Sequence, residues 1–234
     1  MMLNQSSELN LILTIAFVQG ALDLGVLPLF YFYKDELNAS PATISFINGM
    51  CQLPWCAKPL FGFISDSFPI LGYRRKTYLM LVSMVEMSGF LYLALYANNV
   101  FQTGMIQVMQ IACIVFRNVI GEALIVGMTK SGEKADSANT DEKEKQAQAQ
   151  GQVSLFFGAR SAGSLMFSYL GGAILEMVNY RTIFLMCAVF PFTVMMIAFN
   201  YRESKADTHS HQNQTFKDDM IKIGGVLWNP KIRG

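Results

Sequence analysis

The sequence predicts an all-α polytopic membrane protein whose six transmembrane helices form an inverted repeat of three plus three. Three observations carry that prediction. Of the 234 residues, 52% are hydrophobic and 15% charged, where an average soluble domain has roughly a quarter charged. Six stretches are apolar over about the 20 residues that a helix needs to cross a bilayer core. Basic residues gather on alternate connections between those stretches. Mean hydropathy is +0.31, lowered by one polar connection and a polar tail.

The first stretch covers residues 11–33. Its N-terminal flank has no Lys or Arg, and it leads directly into further apolar runs, so it is not a signal peptide. Lys34-Asp35-Glu36 and Pro41 close it off. The second stretch, 42–65, contains Pro54 and Pro59. The third, 77–97, follows Gly72-Tyr73-Arg74-Arg75-Lys76 and ends at Asn98-Asn99. The fourth, 101–128, runs into a segment rich in Glu, Lys, Asp, Gln and Ala. The fifth, 153–176, carries Ser154, Gly158, Ser161, Ser164, Ser168 and Gly171 on one helical face. Small faces let helices approach closely in lipid. The sixth, 182–201, follows Asn179-Tyr180-Arg181 and contains Pro191.

The positive-inside rule orients the set. With the N-terminus in the cytoplasm, thirteen basic residues fall inside: Arg74, Arg75, Lys76, Lys130, Lys134, Lys143, Lys145 and the six from Arg202 onward. Only Lys34 and Arg181 fall outside. The expected organisation is a cytoplasmic N-terminus (1–10), a six-helix domain (11–201) and a cytoplasmic tail (202–234). A solvated cytoplasmic loop, 129–151, divides the domain into two triplets of opposite topology, a common plan in transporters. Gly20-Ala21-Leu22-Asp23 in span one and Gly121-Glu122 in span four are a faint echo of the repeat.

Asp23, Lys58, Glu86, Arg117, Glu122 and Arg160 lie within the spans. A charge near the bilayer centre costs roughly 2.5–3.5 kcal/mol, so such residues mark an interior pathway or an ion-pair network. Three buried pairs that hold helices in register are the structural alternative, and it is the reading preferred for Glu86. Function is preferred for Asp23, Arg117 and Glu122. Lys58 and Arg160 stay open between the two. Asn118 and Glu122, four apart, share a face. Arg117 points about 140° away from Glu122, so its partner must lie on another span or on a substrate anion. Asp23 is the first expected partner and Glu86 the second.

Enzyme chemistry has little to stand on. His209 and His211 are the only histidines, and both lie in the tail. No histidine box and no glycine-rich phosphate loop occurs. Cys51, Cys56, Cys113 and Cys187 sit in apolar runs without metal-ligand or disulfide spacing. No cofactor, metal or nucleic-acid partner is expected. The expected partners are the bilayer and a small-molecule substrate.

One motif is more specific. Gly62, then Asp66, then Gly72 followed by Arg74 and Arg75, stands between spans two and three. It resembles the cytoplasmic signature of the major facilitator superfamily. Its wider setting includes Leu53-Pro54-Trp55, Lys58-Pro59, Pro69 and Tyr73, and it resembles the folate-biopterin transporter family. So do Gln19-Gly20, the Phe32 to Leu37 stretch with Ser40-Pro41, Gly158-Ala159-Arg160-Ser161-Ala162-Gly163, and Ser168 to Gly172. The resemblance covers nearly all of 11–201.

It implies the N-terminal half of a major facilitator fold and secondary active transport, proton-coupled, of folates, pterins or related metabolites. Lys58, Arg117 and Arg160 would then supply cations to an anionic substrate. Asp23, Asn118 and Glu122 would serve binding or coupling, while Gly62, Asp66, Gly72, Arg74 and Arg75 would form the gate. Span four departs from the family pattern: Asn118 and Glu122 stand where aspartates are usual, and Arg117 where a small residue is usual. Length departs too, because the superfamily has two six-helix halves. The expectation is therefore a truncated half, with a second half as its partner. The alternative is a degenerate half that does not transport and instead modulates other membrane proteins.

Overall fold

A bilayer core offers no water to backbone amides, so a chain that crosses it must close its hydrogen bonds within each segment. The computed structural model, which describes residues 2–68, 70, 73, 75–135 and 142–201, is mostly helical and holds no strand among those residues. Nine α-helices occur among the described residues: α1 (Met2–Ala21), α2 (Val26–Tyr31), α3 (Pro41–Met50), α4 (Leu53–Cys56), α5 (Lys58–Ser67), α6 (Lys76–Leu95), α7 (Val100–Ala135), α8 (Glu142–Leu175) and α9 (Tyr180–Asn200).

Among the described residues, four helical stretches are long and apolar enough to cross a membrane: Leu9–Glu36, Lys76–Leu95, Val100–Ile125 and Tyr180–Asn200. The other two expected spans take a different form. Residues 41–67 form three short helices in place of one. Pro54 cannot donate to the Met50 carbonyl and Pro59 cannot donate to that of Trp55, so the helix breaks twice. The fifth expected span is continuous within α8. Its glycines and serines, with Arg160, keep its hydropathy low.

The first span is also interrupted. Leu22–Gly25 tightens into a 3-10 turn between α1 and α2. Pro28 lacks the amide that would bond the Leu24 carbonyl. Phe32–Glu36 then widens into a π turn, in which Leu37 N donates to Phe32 O at 3.0 Å. Asn38 follows with φ 49°, and the chain enters α3. There Ser40 Oγ accepts from Thr43 N at 3.2 Å, with Pro41 at the first helical position.

The polar segment expected as loop 129–151 is helical on both flanks, because α7 runs to Ala135 and α8 begins at Glu142. Ala, Glu, Lys and Gln are strong helix formers, and here they extend helices already nucleated by apolar spans. Residues 136–141, the tail 202–234 and its two histidines lie outside the described residues.

The helices associate mainly as two long pairs, α1 with α8 and α6 with α9, while α7 touches α1, α5 and α6. The first span is 67% buried in its apolar window, against 39% for α6 and for α9. It is therefore central, and the α6–α9 pair is peripheral. One core cluster joins Ile15, Leu79, Leu93, Ile120, Phe156, Ile183 and Val194. Outward lie Met84 and Val85 on α6, Leu165 and Tyr169 on α8, and Val189, Phe192 and Phe199 on α9. An apolar exterior of this extent suits lipid or another helix bundle.

The α6–α9 pair is capped reciprocally. Lys76, the first residue of α6, donates to Phe199 O at 2.7 Å and Tyr201 O at 2.9 Å, at the C-terminus of α9. Arg181, near the start of α9, donates to Ala97 O and Asn98 Oδ1, both at 2.9 Å, at the C-terminus of α6. A cation on terminal carbonyls stabilises a helix end through its dipole.

Candidate functional site

The seam between α1 and α8 places Asp23. Added side-chain atoms have no room there. A Cβ on Gly163 would lie 2.6 Å from Phe17 O, and one on Gly171 would lie 2.8 Å from Leu24 O. From the α1 side, a Cβ on Gly20 would lie 2.6 Å from Ser164 N. The contact therefore runs through Gly163, Ser164 and Gly171. Ser154, Gly158, Ser161 and Ser168, expected on that face, are exposed. The reason is angular: α8 turns Phe156 and Gly163 inward, about 140° from Gly158 and 160° from Ser161. At the seam, Ser164 Oγ donates to Asp23 Oδ2 within the 3-10 break. The interruption thus sets a half-buried carboxylate against α8.

Of the three ion pairs among the described residues, two join charges within the expected spans, and they differ in kind. Arg117 on α7 donates to Glu86 on α6 through its two terminal guanidinium nitrogens, the longer bond being 3.3 Å, and both side chains are fully buried. This corrects the first expected partner of Arg117, Asp23. Glu86 has the position and the geometry because α7 packs Arg117 toward α6. Angular position on one helix cannot say which neighbour it meets. Lys58 on α5 pairs with Glu122 on α7 at 2.8 Å, with the side chains 29% and 38% exposed. Lys58 also lies over the Trp55 ring at 6.0 Å.

Asp23 and Arg160 make no ion pair among the described residues, so the six charges do not form three pairs. Arg160, half-buried beside Gly20, has no ionic or side-chain hydrogen-bond partner among them. Asn118 is buried with Oδ1 unpartnered.

The motif between spans two and three folds back on α6. Ile70 and Tyr73 exchange backbone hydrogen bonds at 3.1 Å. Tyr78 donates to Phe68 O at 2.7 Å and Thr77 to Ile70 O at 3.1 Å. Gly62 lies on α5 against Val119 of α7, where a Cβ would meet Cγ1 at 3.5 Å. Arg75 reaches α7, its Nη1 lying 3.2 Å from where a Cβ on Gly127 would stand. Asp66 is within α5, and its side chain lies outside the described residues, as do Gly72 and Arg74.

Charge did not reveal a third polar group. Tyr33 donates to Gln107 Oε1 at 2.9 Å, and Gln107 Nε2 to Asn48 Oδ1 at 3.4 Å. Gln110, one turn along α7, is 5% exposed and its Nε2 has no partner. Two carboxamides three apart in an apolar helix are the sequence signal for it. Among the described residues, no group of His, Cys, Asp and Glu is placed to hold a metal ion.

Comparison with known proteins finds relatives of the chain. The chain is 36% identical over 194 residues to the folate-biopterin transporter of Synechocystis sp., covering 83% of this chain and 37% of that protein. It is 32% identical over 214 residues to folate transporter 1 of Plasmodium falciparum, covering 91% of this chain and 39% of that one. It is 29% identical over 205 residues to probable folate-biopterin transporter 4 of Arabidopsis thaliana, covering 84% and 38%. The chain thus spans less than two fifths of the length of these curated relatives. No solved structure matches it significantly. The model of the BT1 family matches residues 19–232, which takes in the interrupted first span, both ion pairs and the motif: the chain belongs to the BT1 family.

Proposed function

We propose that the chain is a six-helix half of a secondary active transporter for folate- or pterin-like metabolites, with both termini in the cytoplasm, and that it works against a second half by alternating access. The observation that carries the reading is the contrast between the two ion pairs. Arg117–Glu86 is sealed, as a pair that holds helices together is. Lys58–Glu122 lies within an expected span yet stays about one third exposed. A half-open pair within a span suits a charge that must meet a substrate or a proton.

The repeat has support in the helix pairing. Exchanging spans one, two and three with four, five and six turns the α1–α8 contact into the contact of α5 with α7. It also returns the α6–α9 pair to itself. The polar bridges obey the same exchange: Asp23 of span one meets span five, and Glu122 of span four meets span two. The Lys76 and Arg181 caps exchange likewise.

In this reading Lys58 and Arg160 meet substrate carboxylate, and protonation of Glu122 frees Lys58. Asn118, with its unpartnered Oδ1, lies one helical turn from Glu122 and joins the binding or coupling group. Arg117, committed to Glu86, holds α7 in register. Gly62, Asp66, Gly72, Arg74 and Arg75 form a gate at the cytoplasmic end. The test is folate binding to the purified chain. Lys58→Ala and Arg160→Ala each weaken folate about tenfold, the worth of one charge-assisted contact. Unchanged folate affinity in both variants rejects the anion role. Coupling is tested by uptake into proteoliposomes that hold this half with its second half. An inward proton gradient stimulates uptake, and Glu122→Gln removes the stimulation.

A further inference from the structure

A cavity of about 220 Å³ lies between the broken first span, α3, α6, α7 and α9. None of its lining residues is charged, and none of the charged residues discussed above lines it. One wall is polar: Tyr33, Gln107 and Asn48 in a hydrogen-bonded chain, and Gln110 beside them. Other walls present the rings of Phe30, Phe90 and Phe184. Val26 and Phe30, 63% and 45% exposed, mark its open side.

Gln110 is the telling residue. It is 5% exposed, lines this cavity, and its Nε2 has no partner. A buried amide without a partner is costly, and leucine would avoid the cost at such a position. The neighbouring helix makes room for it: a Cβ on Gly89 would lie 3.2 Å from Gln110 Cγ and Nε2. The carboxamide is thus accommodated at the cavity wall with its Nε2 packed against α6 and unsatisfied, and a turn about its terminal torsion brings the amide edge to the cavity.

Carboxamides pair by two bonds with the donor–acceptor edge of a lactam or amino-heterocycle, as Asn and Gln do with adenine. Aromatic walls suit a flat ring. The volume is below the roughly 300–1,000 Å³ of pockets that take a drug-sized ligand. It suits a bicyclic ring and not a whole folate. The uncharged lining is no place for a carboxylate. We propose that this cavity seats the neutral bicyclic head of a pterin-type ligand, edge-on to Gln110 and Asn48, apart from the charges that meet its tail. The proposal rests on the transporter reading and adds which part of the substrate binds where.

The test is equilibrium binding of biopterin, and of p-aminobenzoylglutamate as a tail without a head, to the purified chain in detergent. Gln110→Leu weakens biopterin about tenfold and leaves the tail probe unchanged. Asn48→Ala, at an exposed position that cannot unfold the chain, weakens biopterin about threefold. If Gln110→Leu lowers the melting temperature, Asn48→Ala alone decides. Biopterin affinity unchanged in Asn48→Ala and in a folded Gln110→Leu overturns the cavity assignment and leaves the transporter reading standing. Equal loss of both probes overturns it too, because head and tail would then share one site. A wild-type chain that binds no biopterin overturns both.

Discussion

Arg117 and Glu86 show what a charge costs when lipid surrounds the helices. Neither side chain has any exposure, so removing one strands the other. Such a loss costs about 3–5 kcal/mol, while replacing both with apolar groups is often neutral. Arg117→Ala or Glu86→Ala therefore lowers the melting temperature in detergent sharply, and Arg117→Met with Glu86→Leu restores most of it. Strictly additive losses in the double variant would refute the pairing. Lys58 behaves differently. Its ion pair is about one third exposed, so Lys58→Met costs no more than about 1 kcal/mol of stability. Arg160 is a cation with no partner among the described residues, so its removal changes ligand binding more than melting.

Helix pairs are the next scale, and glycine decides one of them. Backbone lies so close to backbone along α1 and α8 that Gly163→Ala must push the helices apart. Overpacking of this kind costs about 1–3 kcal/mol. Gly158→Ala, with nothing within 4 Å of its new Cβ, is silent. The two alanine variants, compared by thermal melting, check the seam directly; equal effects would place the contact elsewhere. The α6–α9 pair rests on its two cationic caps. Lys76→Ala and Arg181→Ala should each cost about 0.3–1 kcal/mol, with fraying at the C-terminus of the partner helix. Hydrogen exchange at 198–201 and 94–97 reads this fraying, and protection unchanged in both variants would dismiss the caps.

For the whole molecule the open matter is how the bundle sits in the bilayer. Under the proposed orientation, which follows from the thirteen-to-two distribution of basic residues, residues 98 and 179 are expected outside and 137 inside. In a background without the four native cysteines, Asn98→Cys and Asn179→Cys should react with an impermeant maleimide in sealed cells, and Ser137→Cys should not. Labelling at 137 would reverse the orientation. The chain spans 37% and 39% of the length of two of its curated relatives, and under the proposed function a second bundle would pack against the exposed apolar face. On that proposal alternating access would be a property of the pair, with this chain supplying one wall.

Hydropathy, charge placement and the Gly62 to Lys76 motif were enough, as sequence, to determine a helical membrane protein, its family and the residues whose burial needs explaining. Those properties are local: twenty apolar residues or a buried arginine carry their cost in any fold. Pro54 and Pro59 stand at helix breaks and Pro28 follows one, but α9 runs unbroken through Pro191, so a missing amide by itself does not decide where a helix breaks. Which helices meet was not legible. A helical period gives the direction of Arg117 relative to Glu122 but not the neighbour waiting there, and only packing chose Glu86 over Asp23. Packing likewise turned Gly163, rather than Gly158, toward α1, and brought Ser164 to Asp23. Gln110 escaped notice because an uncharged amide has no large insertion cost. Its importance arises only once tertiary structure surrounds it with apolar atoms and leaves its Nε2 without a partner.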